Sequence, residues 1–288
     1  MIVVPGSSNR LFAFKLSKQI NAKYVETEIS EFPDGEVHIK IPRDVKKEDV
    51  VVVQSLAVRP NDYLMEFLII CDALRGKGCN NICAVLPYMA YARQDNEFTP
   101  GEAISLLGVS RIIQEFCDEV ITVDLHLHRY NRITELFRKG KNVSAMPLLG
   151  SYLARFNLDN PMVIGPDRES AQWAKQISAI FGNDYQVFTK MRHSPEDVSI
   201  RGEIDVRNRD VIVCDDIIST GGTMSEIIKV LKKGGAKRVI AACTHALLAG
   251  NAVTRIYGSG AEDLVGTDTV PSEITRVSAV PAVAEVFL

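Results

Sequence analysis

Short apolar runs rich in β-branched residues recur along the chain, at 1–5, 50–54, 81–86, 120–123, 162–165 and 211–214, and again from Val239 and Leu264. Each is too short for a helix and has the make-up of a strand buried on both faces of a parallel sheet. Between them the apolar period changes to that of helices. Leu11, Phe12, Leu16 and Ile20 share one face of a helix over 7–20, and further helices are expected over 61–74 and 99–117. Trp173, Ile177 and Ile180 mark another, and Ile227, Ile228, Val230 and Leu231 one more. Strand and helix alternate in this way through both halves of the chain. The pattern predicts an α/β protein of two tandem domains, each a mostly parallel central sheet flanked by helices. The boundary falls within 143–160 and is drawn as 1–145 and 146–288; the shared plan suggests an internal duplication.

Two stretches depart from that rhythm. A strand over 24–29 and the alternating Val37-His38-Ile39-Lys40-Ile41 flank Pro33-Asp34-Gly35, a turn signal, so spacing alone predicts a plain hairpin. Asp124-Leu125-His126-Leu127-His128 continues the 120–123 strand in period two, which puts Asp124, His126 and His128 on one side. A packed core histidine and a metal or phosphate role both stand at this point.

Length and composition narrow the class. A chain of 288 residues suits about two domains. It is 46% hydrophobic and 24% charged with a net charge of −3, which argues against general binding to nucleic acid or anionic membrane. No apolar run is long enough to span a bilayer, and Met1 to Gly6 lacks the pattern of a signal peptide, so a cytoplasmic enzyme is expected. The six cysteines form no C-x-x-C pair and lie mostly in apolar runs, as buried free thiols do.

The richest stretch is 211–223. An apolar strand, Val211 to Cys214, runs into two carboxylates, Asp215 and Asp216; Ser219, Thr220, Gly221, Gly222 and Thr223 follow, and a helix begins. Thr223 and Glu226 have capping-box spacing. A turn at a helix N-terminus offers N–H groups and hydroxyls to a phosphate. The acidic pair would accept hydrogen bonds from sugar hydroxyls. A ribose carrying a 5-phosphate satisfies both ends. Three other polar segments follow apolar strands, where open α/β sheets place their ligands. Tyr91-Ala92-Arg93-Gln94-Asp95 reads either as a solvated loop with Arg93 paired to Asp95 or as a nucleotide contact surface. Gly165-Pro166-Asp167-Arg168-Glu169-Ser170 is a polar turn, and Thr189-Lys190-Met191-Arg192 a basic one.

The 213–223 stretch resembles the diphosphate-sugar loop of the type I phosphoribosyltransferase superfamily. With Phe32-Pro33-Asp34-Gly35-Glu36, Tyr91 to Asp95, Val123 to His126, Gly165-Pro166-Asp167 and Lys190-Met191-Arg192 in this order, the whole chain resembles the ribose-phosphate diphosphokinases, and its compact length resembles archaeal forms. That resemblance implies roles. Phe32, Asp34 and Glu36 would hold adenine, turning the plain hairpin into one with a ligand, and would do so in a neighbouring subunit's site. Arg93, Gln94, Asp95 and His126 would meet ATP. His126 and Asp167 would be linked to Mg2+. Lys190 and Arg192 would be the catalytic basic pair on a loop. Asp215 and Asp216 would bind the ribose hydroxyls and Ser219 to Thr223 the 5-phosphate. The equivalent of His128 is absent from bacterial members. The implied reaction is attack of the 1-hydroxyl of ribose 5-phosphate on the β-phosphorus of ATP, with AMP leaving. The implied assembly is a homo-oligomer, at least a dimer, with shared active sites. A phosphoribosyltransferase would not need the 32–36 hairpin; a silent homologue would not keep Lys190 and Arg192; a DNA-binding regulator would need a basic segment that the sequence lacks.

Overall fold

A computed structural model describes residues 1–192, 198–201 and 204–288, with side chains described outside 189–203. The chain forms two compact units, Met1–Ser144 with Ala279–Leu288, and Ala145–Ser278. A boundary drawn once along the sequence assigns the last segment differently: Ala279–Leu288 belongs to the first unit. Its helix lies on the face of the first amphipathic helix, which the sequence period could not reveal.

The first unit contains β1 (Ile2–Pro5), α1 (Arg10–Gln19), β2 (Lys23–Tyr24), β3 (Glu28–Glu31), β4 (Val37–Lys40), β5 (Asp49–Val53), α2 (Pro60–Gly76), β6 (Asn81–Leu86), α3 (Ser105–Phe116), β7 (Glu119–Val123) and β8 (Gly140–Val143). The second contains α4 (Met146–Leu153), β9 (Met162–Gly165), α5 (Ala171–Phe181), β10 (Tyr185–Val187), β11 (Thr189–Arg192), β12 (Val198–Arg201), β13 (Asp210–Ile218), α6 (Gly222–Lys233), β14 (Arg238–Ala246), α7 (Ala252–Gly258), β15 (Asp263–Thr267) and β16 (Thr275–Val277). The chain then returns to the first unit as α8 (Val280–Ala284), which packs on α1.

Each unit has a six-stranded sheet, ordered β2-β1-β5-β6-β7-β8 and β10-β9-β13-β14-β15-β16. All pairs within them are parallel. A separate antiparallel hairpin follows the second strand of each, β3–β4 in one and β11–β12 in the other. The two units therefore share strand order and insertion point, the topology a duplication leaves. In each, the order reverses beside the first strand, between β1 and β5 and between β9 and β13, and the carboxyl ends of those strands flank a crevice.

The strands are buried because both faces are covered. In the second unit, Val211, Val213, Val239 and Ala241 pack under α6 and α7 with Ile227, Ile228 and Ile256. Ile212, Cys214, Ile240 and Ala242 pack on the other face with Trp173, Ile177 and Leu149. Alternate residues of one strand thus serve two cores, which is why the sequence shows continuous apolar runs there. All six cysteines are free and all but Cys79 are buried. Burial pushes the Cys117 thiol up to about 12, which keeps it protonated and inert. Among the described residues no helix is long and apolar enough to cross a membrane.

Candidate functional site

The 210–223 segment differs from its sequence reading in two ways. β13 is nine residues long and runs through both carboxylates to Ile218. Pairing with β14 continues that far, Ile218 lying opposite Ala246, so the partner strand holds Asp215 and Asp216 in extended backbone. Asp215 is half-buried there and Asp216 only 2% exposed. Finally, α6 begins at Gly222 with Gly221 as its cap residue and no side-chain cap, so the Thr223–Glu226 capping box is not formed. Thr223 is already inside the helix and cannot cap it.

The turn is held from behind. The carbonyl oxygens of Ile218, Ser219 and Gly221 accept hydrogen bonds from the backbone N–H groups of Leu247 (3.0 Å), Ala249 (3.0 Å) and Ser225 (2.9 Å). The Thr220 carbonyl accepts one from Arg255 Nη1 at 3.2 Å. In a planar trans peptide the next N–H points opposite to the carbonyl. The N–H groups of Ser219, Thr220 and Gly221 therefore point away from the partners of the preceding carbonyls, and that of Gly222 opens α6, where the first N–H groups of a helix lack an intrahelical acceptor. Gly221 makes this possible with φ of +71°. Arg255 brings a cation to the same turn and is anchored by Asn251 Oδ1 at 3.2 Å. The sequence carried no signal for it, because the contact spans 35 residues.

Asp167 follows β9, the neighbour of β13, so it lies across the same crevice of the second unit. Its Oδ1 accepts from the Ser170 N–H at 3.1 Å, and its own N–H donates to Ser170 Oγ at 3.0 Å. An added Cβ on Gly165 would lie 2.4 Å from Ser170 Oγ, so glycine is required for that tight turn. Lys190 lies opposite Ile200 and Arg192 opposite Val198 in the β11–β12 hairpin, while their side chains lie outside the described residues.

In the first unit side chains bridge the crevice between β1 and β5. Glu66, 5% exposed, accepts from Ser7 N–H and Ser7 Oγ (both 2.6 Å) and from Gln54 Nε2 (2.7 Å). Of the predicted ligand residues, Glu36 lines one cavity together with Ser7 and Glu66. Phe32, Asp34 and Glu36 sit at the exposed tip between β3 and β4, where Phe32 N–H donates to the Glu36 carbonyl at 2.8 Å and Glu36 N–H to Asp34 Oδ1 at 3.2 Å. Gly35, at φ +91°, closes the turn. Phe32 is 49% exposed and meets the His38 ring edge-on at 5.3 Å.

Arg93, Gln94 and Asp95 follow β6, whose neighbour β7 leads to His126. The helix expected from Thr99 starts at Ser105. Residues before it form a turn in which Glu102 accepts from Phe98 N–H (3.1 Å), Thr99 N–H (3.2 Å) and Gln94 Nε2 (3.0 Å). These bonds, the Thr99 backbone one foremost, hold the Glu102 carboxyl below its usual range. Gln94 is thereby oriented, and Arg93 is exposed. The ion-pair partner of Asp95 is Arg129 at 3.4 Å rather than Arg93, two residues before it. The period-two continuation beyond Val123 is not formed. β7 ends there, because Asp124 takes φ of +38° and no strand can pass through it. His126 and His128 still meet, with His128 Nε2 and His126 Nδ1 2.9 Å apart, but they do so across a loop.

Two parallel sheets of one strand order, each with a hairpin after its second strand, and a glycine turn following an acidic strand end define a tandem phosphoribosyltransferase-type fold. Comparison with known proteins agrees. Residues 1–116 match the N-terminal domain of ribose phosphate pyrophosphokinase, and residues 145–259 match the phosphoribosyl transferase domain. The ribose-phosphate pyrophosphokinase of Methanopyrus kandleri is 40% identical over 287 residues, covering 99% of this chain and 98% of the relative. That of Thermococcus kodakarensis is 35% identical over 279 residues, covering 96% of each. The crystal structure of phosphoribosylpyrophosphate synthetase from Mycobacterium smegmatis matches with a TM-score of 0.88 at 29% identity, over 99% of this chain and 97% of that one. The chain belongs to the ribose-phosphate pyrophosphokinase family.

Proposed function

We infer that this chain transfers the diphosphoryl group of ATP to the 1-hydroxyl of ribose 5-phosphate, releasing AMP and supplying phosphoribosyl diphosphate for nucleotide biosynthesis. The observation that carries the reading is the glycine turn that follows Asp215 and Asp216 at the end of β13 and opens the N-terminus of α6. Ser219 to Thr223 hold the 5-phosphate and the two carboxylates accept from the ribose hydroxyls. ATP is met by Arg93, Gln94, Asp95 and His126, with Phe32, Asp34 and Glu36 contributing to adenine. Diphosphoryl transfer asks little covalent work of the protein; it asks for alignment and for neutralised charge. Lys190 and Arg192 supply positive charge to the transferring group.

Asp167 offers the carboxylate oxygen that magnesium prefers, whereas His126 offers a nitrogen better suited to softer metals. Asp167 would accordingly be the firmer holder of Mg2+ and His126 the weaker one. Held there, Mg2+ would supply neutralisation of the charge on the transferring diphosphoryl group. The exposed hairpin tip at Phe32–Glu36 supports a homo-oligomer in which it serves a neighbouring copy. Six free cysteines support a reducing, cytoplasmic setting.

The test is a mixture of enzyme, ATP, ribose 5-phosphate and Mg2+. AMP and phosphoribosyl diphosphate should appear together, and only when the sugar is present. Consumption of phosphoribosyl diphosphate with a nucleobase, in place of its formation, would replace this reading with a phosphoribosyltransferase.

A further inference from the structure

The loops that follow β6 and β7 leave neighbouring strands, yet the sequence gives no reason for them to keep a fixed relation. One carries Arg93 and Gln94, the other His126. Asp95 is 6% exposed, and its Oδ2 has no hydrogen-bond partner among the described residues. Its Oδ1 lies 3.4 Å from Arg129 Nε. A buried carboxylate without a cation is costly, so this pairing fixes Arg129 as much as it satisfies Asp95. The same guanidinium lies over the Phe98 ring, with Cζ 5.6 Å from the centroid. Both of its anchors are on the first loop, while Arg129 itself follows His126 by three positions. The Arg129 side chain is 52% exposed, so its contacts to Asp95 and Phe98 serve to join loops rather than to build a core.

We propose that Arg129 is a positioning residue: held between Asp95 and Phe98, it sets the loop bearing His126 against the loop bearing Arg93 and Gln94 and so presets the ATP-contact surface. This rests on the ATP reading of those residues. Arginine is suited to the task because one planar group can pair with a carboxylate and stack on a ring at once. Lysine can do only the first well.

The measurement is the Kd of magnesium-ATP by calorimetry, with KM values and kcat from the coupled assay, on Arg129→Met, Arg129→Lys and Phe98→Leu. Arg129→Met should weaken ATP binding about tenfold, as for residues sharing one network, and leave the KM for ribose 5-phosphate within about twofold. Arg129→Lys should lie between Arg129→Met and the wild type, and Phe98→Leu near Arg129→Lys. A cycle of Arg129→Met with Asp95→Asn should be non-additive. ATP affinity unchanged in Arg129→Met would overturn the proposal. So would an equal loss for both substrates with a lowered melting temperature, which marks a merely structural role. If the wild type binds ATP but forms no AMP with ribose 5-phosphate, the functional reading fails on its own, and the Kd comparison still decides the role of Arg129.

Discussion

Replacing Gly221 by alanine probes the sugar-phosphate turn without removing any polar group. Gly221 has φ +71° and ψ +5°. An L-residue pays about 1–2 kcal/mol in this region. An added Cβ would also lie 3.1 Å from the Ala252 carbonyl oxygen and 3.2 Å from Cγ1 and Cδ1 of Ile256. Ile256 can yield a few tenths of an ångström, but the carbonyl belongs to the start of α7 and cannot. The relief available is a shift of the 219–222 backbone, which turns its N–H groups off a bound phosphate. If the strain is relieved in that way, ribose 5-phosphate binds roughly 5–30-fold more weakly, the equivalent of about 1–2 kcal/mol. The assay is the KM for ribose 5-phosphate at saturating ATP, with a calorimetric Kd beside it. Gly182→Ala is the control: its φ is +66°, none of the described residues lies within 4 Å of the added Cβ, and it caps α5. It should lower the melting temperature and leave both KM values alone. A sugar KM for Gly221→Ala within about twofold of wild type, with stability lowered as in Gly182→Ala, would show that the turn does not hold the phosphate.

Asp216→Asn should raise the KM for ribose 5-phosphate by roughly 10–150-fold, about 1.5–3 kcal/mol for a lost charge-assisted hydrogen bond, with a smaller effect on ATP; an unchanged sugar KM removes Asp216 from the site. Lys190→Ala should lower kcat at least about a hundredfold at unchanged melting temperature, the usual cost of a lost transition-state contact. Activity within a few-fold of wild type would make Lys190 a solvated surface residue. Asp210 accepts from Arg238 Nε at 2.9 Å and from the Asp159 N–H at 2.6 Å, and the Arg238 bond foremost holds its carboxyl below the usual range. Because its folded value is depressed, the stability it contributes is complete above about pH 4, the unfolded value, and is lost as pH falls through the lower folded one. Melting temperatures of wild type and Asp210→Asn should therefore converge below about pH 4; a gap that stays constant with pH refutes the ion-pair account.

The local code was enough for the elements and for the kind of chemistry. Continuous apolar runs read as parallel strands because both faces of each sheet are covered, and Pro33-Asp34-Gly35 read as a turn because Gly35 can take a positive φ that few residues can. The order of polar segments carried the family, since each is short, chemically specific and fixed to a strand end. What the sequence could not state depends on partners far along the chain. β13 reaches Ile218 through two carboxylates because β14 pairs with it that far, a gain no propensity for Asp records. Asp-x-His-x-His has strand periodicity, yet the backbone turns at Asp124, whose N–H donates to the Val143 carbonyl at 2.8 Å. Asp95 pairs with Arg129 although Arg93 is two residues away, because neighbours of that spacing along an irregular loop need not face each other. Arg255 beneath Thr220, and Ala279–Leu288 folded back onto the first unit, are likewise contacts of high sequence separation. Periodicity reports which face of an element is covered; only the tertiary fold decides what covers it.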